Sequence, residues 1–139
     1  MRRIERTLFE AWQKRWDEGD TGRTVYEYFP NVSKRLKNKI FKPKPSTIAV
    51  LTGHGPFNAY LFERCGKGDP TCVCGDWQTA NHLVFECRIM ARMRKSLKRK
   101  VREKGHQWPC SPNTLVEDKE IYREFEAFAK NLIKDLDQN

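Results

Sequence analysis

Residues 72–87 read Cys-Val-Cys-Gly-Asp-Trp-Gln-Thr-Ala-Asn-His-Leu-Val-Phe-Glu-Cys. Reduced to its chemistry the stretch is C-x-C-x7-H-x4-C, with three thiols and one imidazole inside sixteen residues. Thiolate and imidazole are ligands that zinc prefers, and four of them close a tetrahedral site with no open position for a substrate water. Cys72, Cys74, His82 and Cys87 therefore predict a knuckle holding one structural Zn(2+) ion. The single residue between Cys72 and Cys74 is shorter than the spacing of about two to four usual in zinc fingers, and Cys65 is the rival ligand for one of that pair. The chain has five cysteines, an odd number, and three of them gather round one histidine. Metal binding is thus a better reading than a disulfide framework, and Cys65 and Cys110 are expected as reduced thiols.

Such a cluster needs elements to hold it. Gly75 lets a tight loop turn its amides toward the Cys72 and Cys74 sulfurs, and Thr79 or Asn81 caps a helix that carries His82 and Cys87. Those two ligands lie five residues apart, which on an ideal α-helix separates them by about 140° beyond a full turn. The helix is therefore expected to bend or restart near Cys87. Over 81–104 the pattern is strongly amphipathic. Ile89, Met90, Met93, Leu97 and Val101 fall within about 120° of one another, while Arg88, Arg92, Lys95, Arg99 and Arg102, with Lys98, present cations elsewhere. Only Glu103 offsets that run, so the stripe suits a phosphate backbone.

With 139 residues the chain is expected to form a single domain, 1–139. Its parts are N-terminal helices and a Leu-Thr-Gly-His-Gly turn (1–64), the knuckle (65–87), the basic helix (88–104) and a C-terminal helix (118–136). The fold class is mostly α, with a zinc-knuckle loop and little or no sheet. Twenty-seven Lys and Arg against eighteen Asp and Glu set the formal charge at +9, which favours a polyanionic partner, RNA or DNA. The charge is uneven, because residues 117–139 carry seven acids and four bases. No apolar run approaches the ~18 residues of a membrane span, so no membrane partner and an intracellular location are expected.

The remaining segments fill in the frame. Ile4, Leu8, Ala11, Trp12 and Trp16 recur at helical spacing over 2–16, and Gly19 to Gly22 ends that helix. Residues 25–30 are β-branched and aromatic and read as a short extended segment. Six bases and no acid occupy 34–44, and Lys34, Arg35 and Lys37 join the candidate phosphate contacts. Ser46 or Thr47 reads as the cap of an apolar helix, and Pro56 as the first residue of the next. His54, between two glycines, belongs to a turn; a role as catalytic base would need a nucleophile or carboxylate that its neighbours do not supply. After the break at 105–112, Ile121, Phe125, Phe128, Leu132 and Leu136 form one face of a last helix that closes the core with its acidic side outward.

Trp12-Gln13 to Trp16-Asp17, Gly22-Arg23-Thr24, the Leu51 to Leu61 block, Cys72-Val73-Cys74-Gly75 through His82-Leu83-Val84-Phe85-Glu86-Cys87, and the segment 122–133 together resemble one known family. It is the C-terminal region of the reverse-transcriptase (Pol) polyprotein of arthropod non-LTR retrotransposons, the type-1 kind that insert into ribosomal RNA genes. The resemblance implies that Cys72, Cys74, His82 and Cys87 are metal ligands, that the module helps hold nucleic acid during target-primed reverse transcription, and that it works in the nucleus. It does not imply polymerase activity, since no Tyr-x-Asp-Asp or related aspartate pair occurs here to organise two metal ions, nor is there room for an endonuclease. The chain is not expected to be an enzyme.

The leading expectation is a zinc-stabilised module that binds RNA or single-stranded nucleic acid through its two cationic segments, with Trp77 stacking on an unpaired base. A scaffold domain docking on a reverse transcriptase is the alternative, marked by an exposed apolar patch. A degenerate retroelement fragment is another. A small hydrolase using His54 or Cys110 is the remaining one.

Overall fold

The structure, a computed structural model, describes residues 2–138. It is helical almost throughout: α1 (Arg3–Glu18), α2 (Arg23–Tyr28), α3 (Val32–Lys37), α4 (Pro45–Thr52), α5 (Asn58–Cys65), α6 (Ala91–Glu103), α7 (Thr114–Glu117) and α8 (Lys119–Asp137). Between α5 and α6 lie the knuckle loop, a π-turn over His82–Glu86 and a 3-10 turn over Arg88–Met90. Extended pairing among the described residues is limited to a bridge between Thr71 and Trp77.

Helix α8 is the axis of the core. Ile121, Phe125, Phe128 and Leu132 recur at three- and four-residue spacing and are buried, and the helix packs on α4, α6 and α7. Its start is set by Asp118, whose carboxylate accepts from the backbone N–H groups of Glu120 and Ile121, satisfying two donors that have no partner inside the helix. Against α8, α6 contributes Leu97 and Val101. From the N-terminal half Tyr28 stacks on Phe125 at 5.7 Å, and Phe41 meets Tyr122 edge-on at 5.5 Å.

Three expectations are corrected. The segment 25–30 is not extended, because Val25 to Tyr28 complete α2, and burying Tyr28 under α8 outweighs their β propensity. Helix α4 begins at Pro45, which suits a first turn that has no use for its missing N–H, so Ser46 and Thr47 lie inside it. Helix α5 begins at Asn58, two residues after Pro56. Gln78 of the knuckle supplies its cap, its side-chain oxygen accepting from Asn58 N–H at 2.9 Å and its carbonyl from Ala59 N–H at 3.0 Å.

Helix α1 is held differently from the rest. None of its residues is buried. Its C-terminal half is tied by polar bonds, with Trp16 Nε1 donating to Phe29 O at 2.7 Å and Gln13 bridging Pro30 O and Val32 N–H. Its outward face leaves Ile4, Leu8 and Trp12 exposed.

The α8 cap generates a prediction. The Ile121 backbone N–H, helped by that of Glu120 and by the Lys104 ammonium, outweighs the opposing effect of burial and holds the Asp118 carboxyl below its usual 3.8. Asp118→Ala should cost about 1 kcal/mol in urea unfolding at neutral pH. Because the folded-state pKa is depressed, this contribution is present above the ordinary carboxylate value and is lost as pH falls through the folded one. The stability gap between parent and variant should therefore close on acidification.

Candidate metal centre

The knuckle loop turns back on itself: Gly75 N–H donates to Cys72 O at 2.9 Å and Cys72 N–H to Asp76 O at 2.6 Å. Gly75 sits at φ 103°, a conformation that side chains disfavour, and this reversal puts Cys72 and Cys74 on one side of the loop in spite of their one-residue gap. Thr79 Oγ1 accepts from His82 N–H at 3.0 Å, as expected of a cap. The five-residue interval between His82 and Cys87 is then absorbed by the π-turn. Cys87 N–H donates to His82 O at 2.8 Å, an i→i+5 bond that closes the turn one residue late and returns Cys87 to the side of His82. Cys87 itself is extended, with φ −61° and ψ 122°, so the chain restarts there.

The 3-10 turn that follows shifts the phase of the next helix. Met90 is buried, yet Ile89, expected on the apolar face, is exposed. A 3-10 turn advances about 120° per residue instead of 100°, which rotates Ile89 outward.

These elements bring together the four residues the spacing singled out. The ligand atoms of Cys72, Cys74, His82 and Cys87 all lie within 4.8 Å of one another, and the cluster can hold a metal ion. Cys72 Sγ is 3.7 Å from Cys87 Sγ, and Cys74 Sγ is 3.1 Å from His82 Nε2. Cys65 is exposed and outside the group. The Glu86 carboxylate stands 3.7 Å from His82 Nδ1, on the side of the ring away from Nε2, which faces the Cys74 sulfur. Burial pushes the Cys72 thiol up, but the Cys74 backbone N–H and contacts from His82, Gln78 and Cys87 outweigh it and bring it down to about 7. Burial raises the Cys87 thiol.

Three supporting residues had not been assigned from sequence. Gln78 is buried, its side-chain nitrogen 3.8 Å from Cys72 Sγ and its oxygen on the α5 cap. Nothing in its local pattern marks it. Glu86 is four residues beyond His82, a spacing that puts two helical side chains on one face. Arg94 carries the clearest signal, for at 100° per residue it falls about 20° from Val101 and about 60° from Leu97, on the apolar face of α6. It is 6% exposed, and its guanidinium donates to Leu83 O and Val84 O, two carbonyls of the π-turn. Burial lowers its pKa, opposed by the nearby Cys87 and Glu86.

The proposed cationic contacts are spread over two regions. Arg88, Arg92, Lys95, Arg99 and Arg102 are exposed and Lys98 half-buried, and Lys95, Lys98, Arg99 and Arg102 line one shallow hollow. Ion pairs among the described residues use Lys44, Lys100 and Lys104 and none of these six. On α3, Lys34 and Lys37 are exposed, whereas the Arg35 guanidinium lies 5.0 Å from the ring centres of both Phe29 and Phe41. Trp77 is half exposed, edge-on to Phe62. His54 stacks on Tyr60 at 4.7 Å. The Cys110 thiol is pushed up to about 11 by burial, the reverse of what a nucleophile needs.

A small helical protein built round a buried Cys3His cluster is a metal-knuckle module. The putative 115 kDa protein in type-1 retrotransposable element R1DM of Drosophila melanogaster is 30% identical over 132 residues, 94% of this chain and 13% of that protein. A retrovirus-related Pol polyprotein from type-1 retrotransposable element R1 3 of Nasonia vitripennis is 34% identical over 96 residues, 66% of this chain and 24% of that one. The corresponding R1 polyprotein of Bradysia coprophila is 34% identical over 88 residues, 63% of this chain and 9% of that one. As a homologue of part of them, the chain belongs to the family of R1 type-1 retrotransposon Pol polyproteins of arthropods. It spans a quarter or less of the length of these relatives. No family model and no solved structure matches it. No helix among the described residues is long and apolar enough to cross a membrane.

The Arg94 clamp is directly testable. Arg94→Met leaves two buried carbonyls without donors and should lower stability by roughly 2–4 kcal/mol in urea unfolding of the metal-loaded protein. Arg94→Lys should recover only part, since a point cation does not reproduce the fork. An unchanged midpoint in Arg94→Met would show that the π-turn does not depend on the guanidinium.

Proposed function

We propose that this chain is a zinc-stabilised, non-catalytic nucleic-acid-binding module that grips RNA or DNA, single-stranded or structured RNA in preference, during target-primed reverse transcription in the nucleus. Zinc fits the donor set. With Zn–S bonds of about 2.3 Å the edge of a regular tetrahedron is about 3.8 Å, close to the 3.7 Å between Cys72 and Cys87 sulfurs. The bound ion would supply a fixed tetrahedral crosslink between the loop and the π-turn. Cys72, Cys74, His82 and Cys87 hold it, Glu86 stands beside Nδ1 of the imidazole, and Gln78 and Arg94 brace the two halves.

The observation that carries the binding reading is the row of Arg88 on the 3-10 turn and Arg92, Lys95, Arg99 and Arg102 on α6, all exposed and in no ion pair among the described residues. Cations so placed gain by replacing the counterions of a phosphate backbone and carry no base preference. Lys34 and Lys37 extend the charge, and Trp77 offers a stacking surface.

A second reading rests on α1, whose exposed Ile4, Leu8 and Trp12 form an apolar face suited to docking on a reverse transcriptase. Capture of a polymerase in the absence of nucleic acid, abolished by Trp12→Glu, would support it.

Purified protein should contain one zinc ion per chain, and chelation should unfold it; absence of both zinc and chelator sensitivity would retire the metal reading. Reversing the charge of Arg92, Lys95, Arg99 and Arg102 together should weaken electrophoretic binding and flatten its dependence on salt. Unchanged affinity in that variant would remove α6 as the contact surface.

A further inference from the structure

The Leu-Thr-Gly-His-Gly block has no part in the metal cluster or the cationic face, yet its Thr52, Gly53 and His54 line a cavity of about 320 Å³. That volume is at the small end of the roughly 300–1,000 Å³ typical of ligand sites. Thr52, Gly53, His54 and Tyr60 line one side and Thr79, Ala80 and Asn81, immediately before the His82 ligand, line another. Thr24 completes it from α2.

Three properties define what fits. First, His54 and Tyr60 are stacked at 4.7 Å and 19°, an aromatic pair that is ordered by itself and offers a π surface at the cavity wall. Second, the rest of the lining mixes apolar Phe57, Ala59 and Ala80 with the short polar side chains of Thr24, Thr52, Thr79 and Asn81, while Glu63 and Arg64 contribute one charge of each sign. The cavity therefore selects for neither net charge. Third, Gly53 adopts φ 75°, a conformation that side chains disfavour, so the lining beside Thr24 carries no side chain at that position. A flat, uncharged ring with hydrogen-bonding edges meets all three conditions.

We propose that this cavity receives one unpaired nucleobase, stacked against the His54–Tyr60 pair with its polar edge toward the threonine and asparagine side chains. The proposal rests on the reading of the module as a nucleic-acid binder and adds to it a place where a single strand is distinguished from a duplex, whose bases are stacked away. Because Thr79, Ala80 and Asn81 lead directly into His82, that part of the lining is held by the knuckle.

The test compares binding of a short adenylate single strand and of a DNA duplex by the zinc-loaded full chain, alongside NMR titration of the chain with adenosine monophosphate. His54 is exposed, so His54→Ala probes the stack without endangering the core, and Tyr60→Ala and Tyr60→Phe complete the set. Each alanine variant should weaken single-strand binding roughly 5- to 150-fold, the range for loss of one base stack, with Tyr60→Phe near parental and duplex binding unchanged. Adenosine monophosphate should shift the resonances of Thr24, Thr52 and Asn81. If the parent binds strands and both alanine variants bind them equally well, the cavity proposal fails while the binding reading stands. If the parent binds neither strand nor duplex, the binding reading fails; if it shows no nucleotide shifts at those three residues, the cavity proposal fails.

Discussion

Everything at the centre of this molecule follows from one hydrogen bond that is a residue too long. A histidine and a cysteine five apart cannot face the same point on an α-helix, because the helix carries the second well past the first. Joining Cys87 N–H to His82 O instead of to the preceding turn's usual partner widens the coil by one residue and cancels the error. The cluster therefore depends on a backbone irregularity, and the irregularity leaves carbonyls of the widened turn in want of donors. Arg94 meets that want from the next helix. The same side chain places a cation beside a group of sulfurs, so a single residue serves both the backbone and the charge of the site.

On its other flank the site is knit to the chain before it. Gln78 touches Cys72 with its nitrogen and starts α5 with its oxygen and its own carbonyl, so the first turn of α5 is completed by the knuckle. Trp108 folds back over Phe85, its indole N–H 3.3 Å from the Phe85 carbonyl, and so covers the π-turn from the far side. Loop, π-turn, α5 and α6 thus share partners in place of meeting only through apolar packing. Loss of the metal crosslink would be felt in all four.

Spacing alone was enough to single out the four residues that gather into one cluster, the restart near Cys87 and the run of α8, because each rests on a local count of residues and on chemistry that few side chains share. It was also enough for the cations of α6, which the helical period sorts onto one side. It failed where tertiary partners decide. The aromatic run ending at Tyr28 looked extended until its burial under α8 was known, and Ile89 looked buried until the 3-10 turn changed the phase. Gln78 acts through residues twenty positions away and left no local trace. Arg94 did leave one, a charge on the apolar face of a helix, and a strict reading of the wheel would have asked what satisfies it. Arg35, grouped with the free bases of its segment, has its guanidinium over an edge-to-face pair of phenylalanine rings that only the fold brings together.

The opposite charges of α6 and α8 also have a meaning at a distance. The two helices pack together with Leu97, Val101 and Phe125 buried, and apart from the Lys104 pairs with Asp118 and Glu120 at one end, the exposed cations of α6 form no ion pair with the acids of α8 among the described residues. Residues 117–139 carry a surplus of acids in a chain whose net charge is +9. Such a body has an electric moment as well as a charge. Near any polyanion it experiences a torque as well as a pull, and it turns its basic side forward before touching, over a range set by the screening length of about 8–10 Å at ordinary salt. Orientation is thus settled in the approach, and the acidic helix acts as the tail of a compass needle.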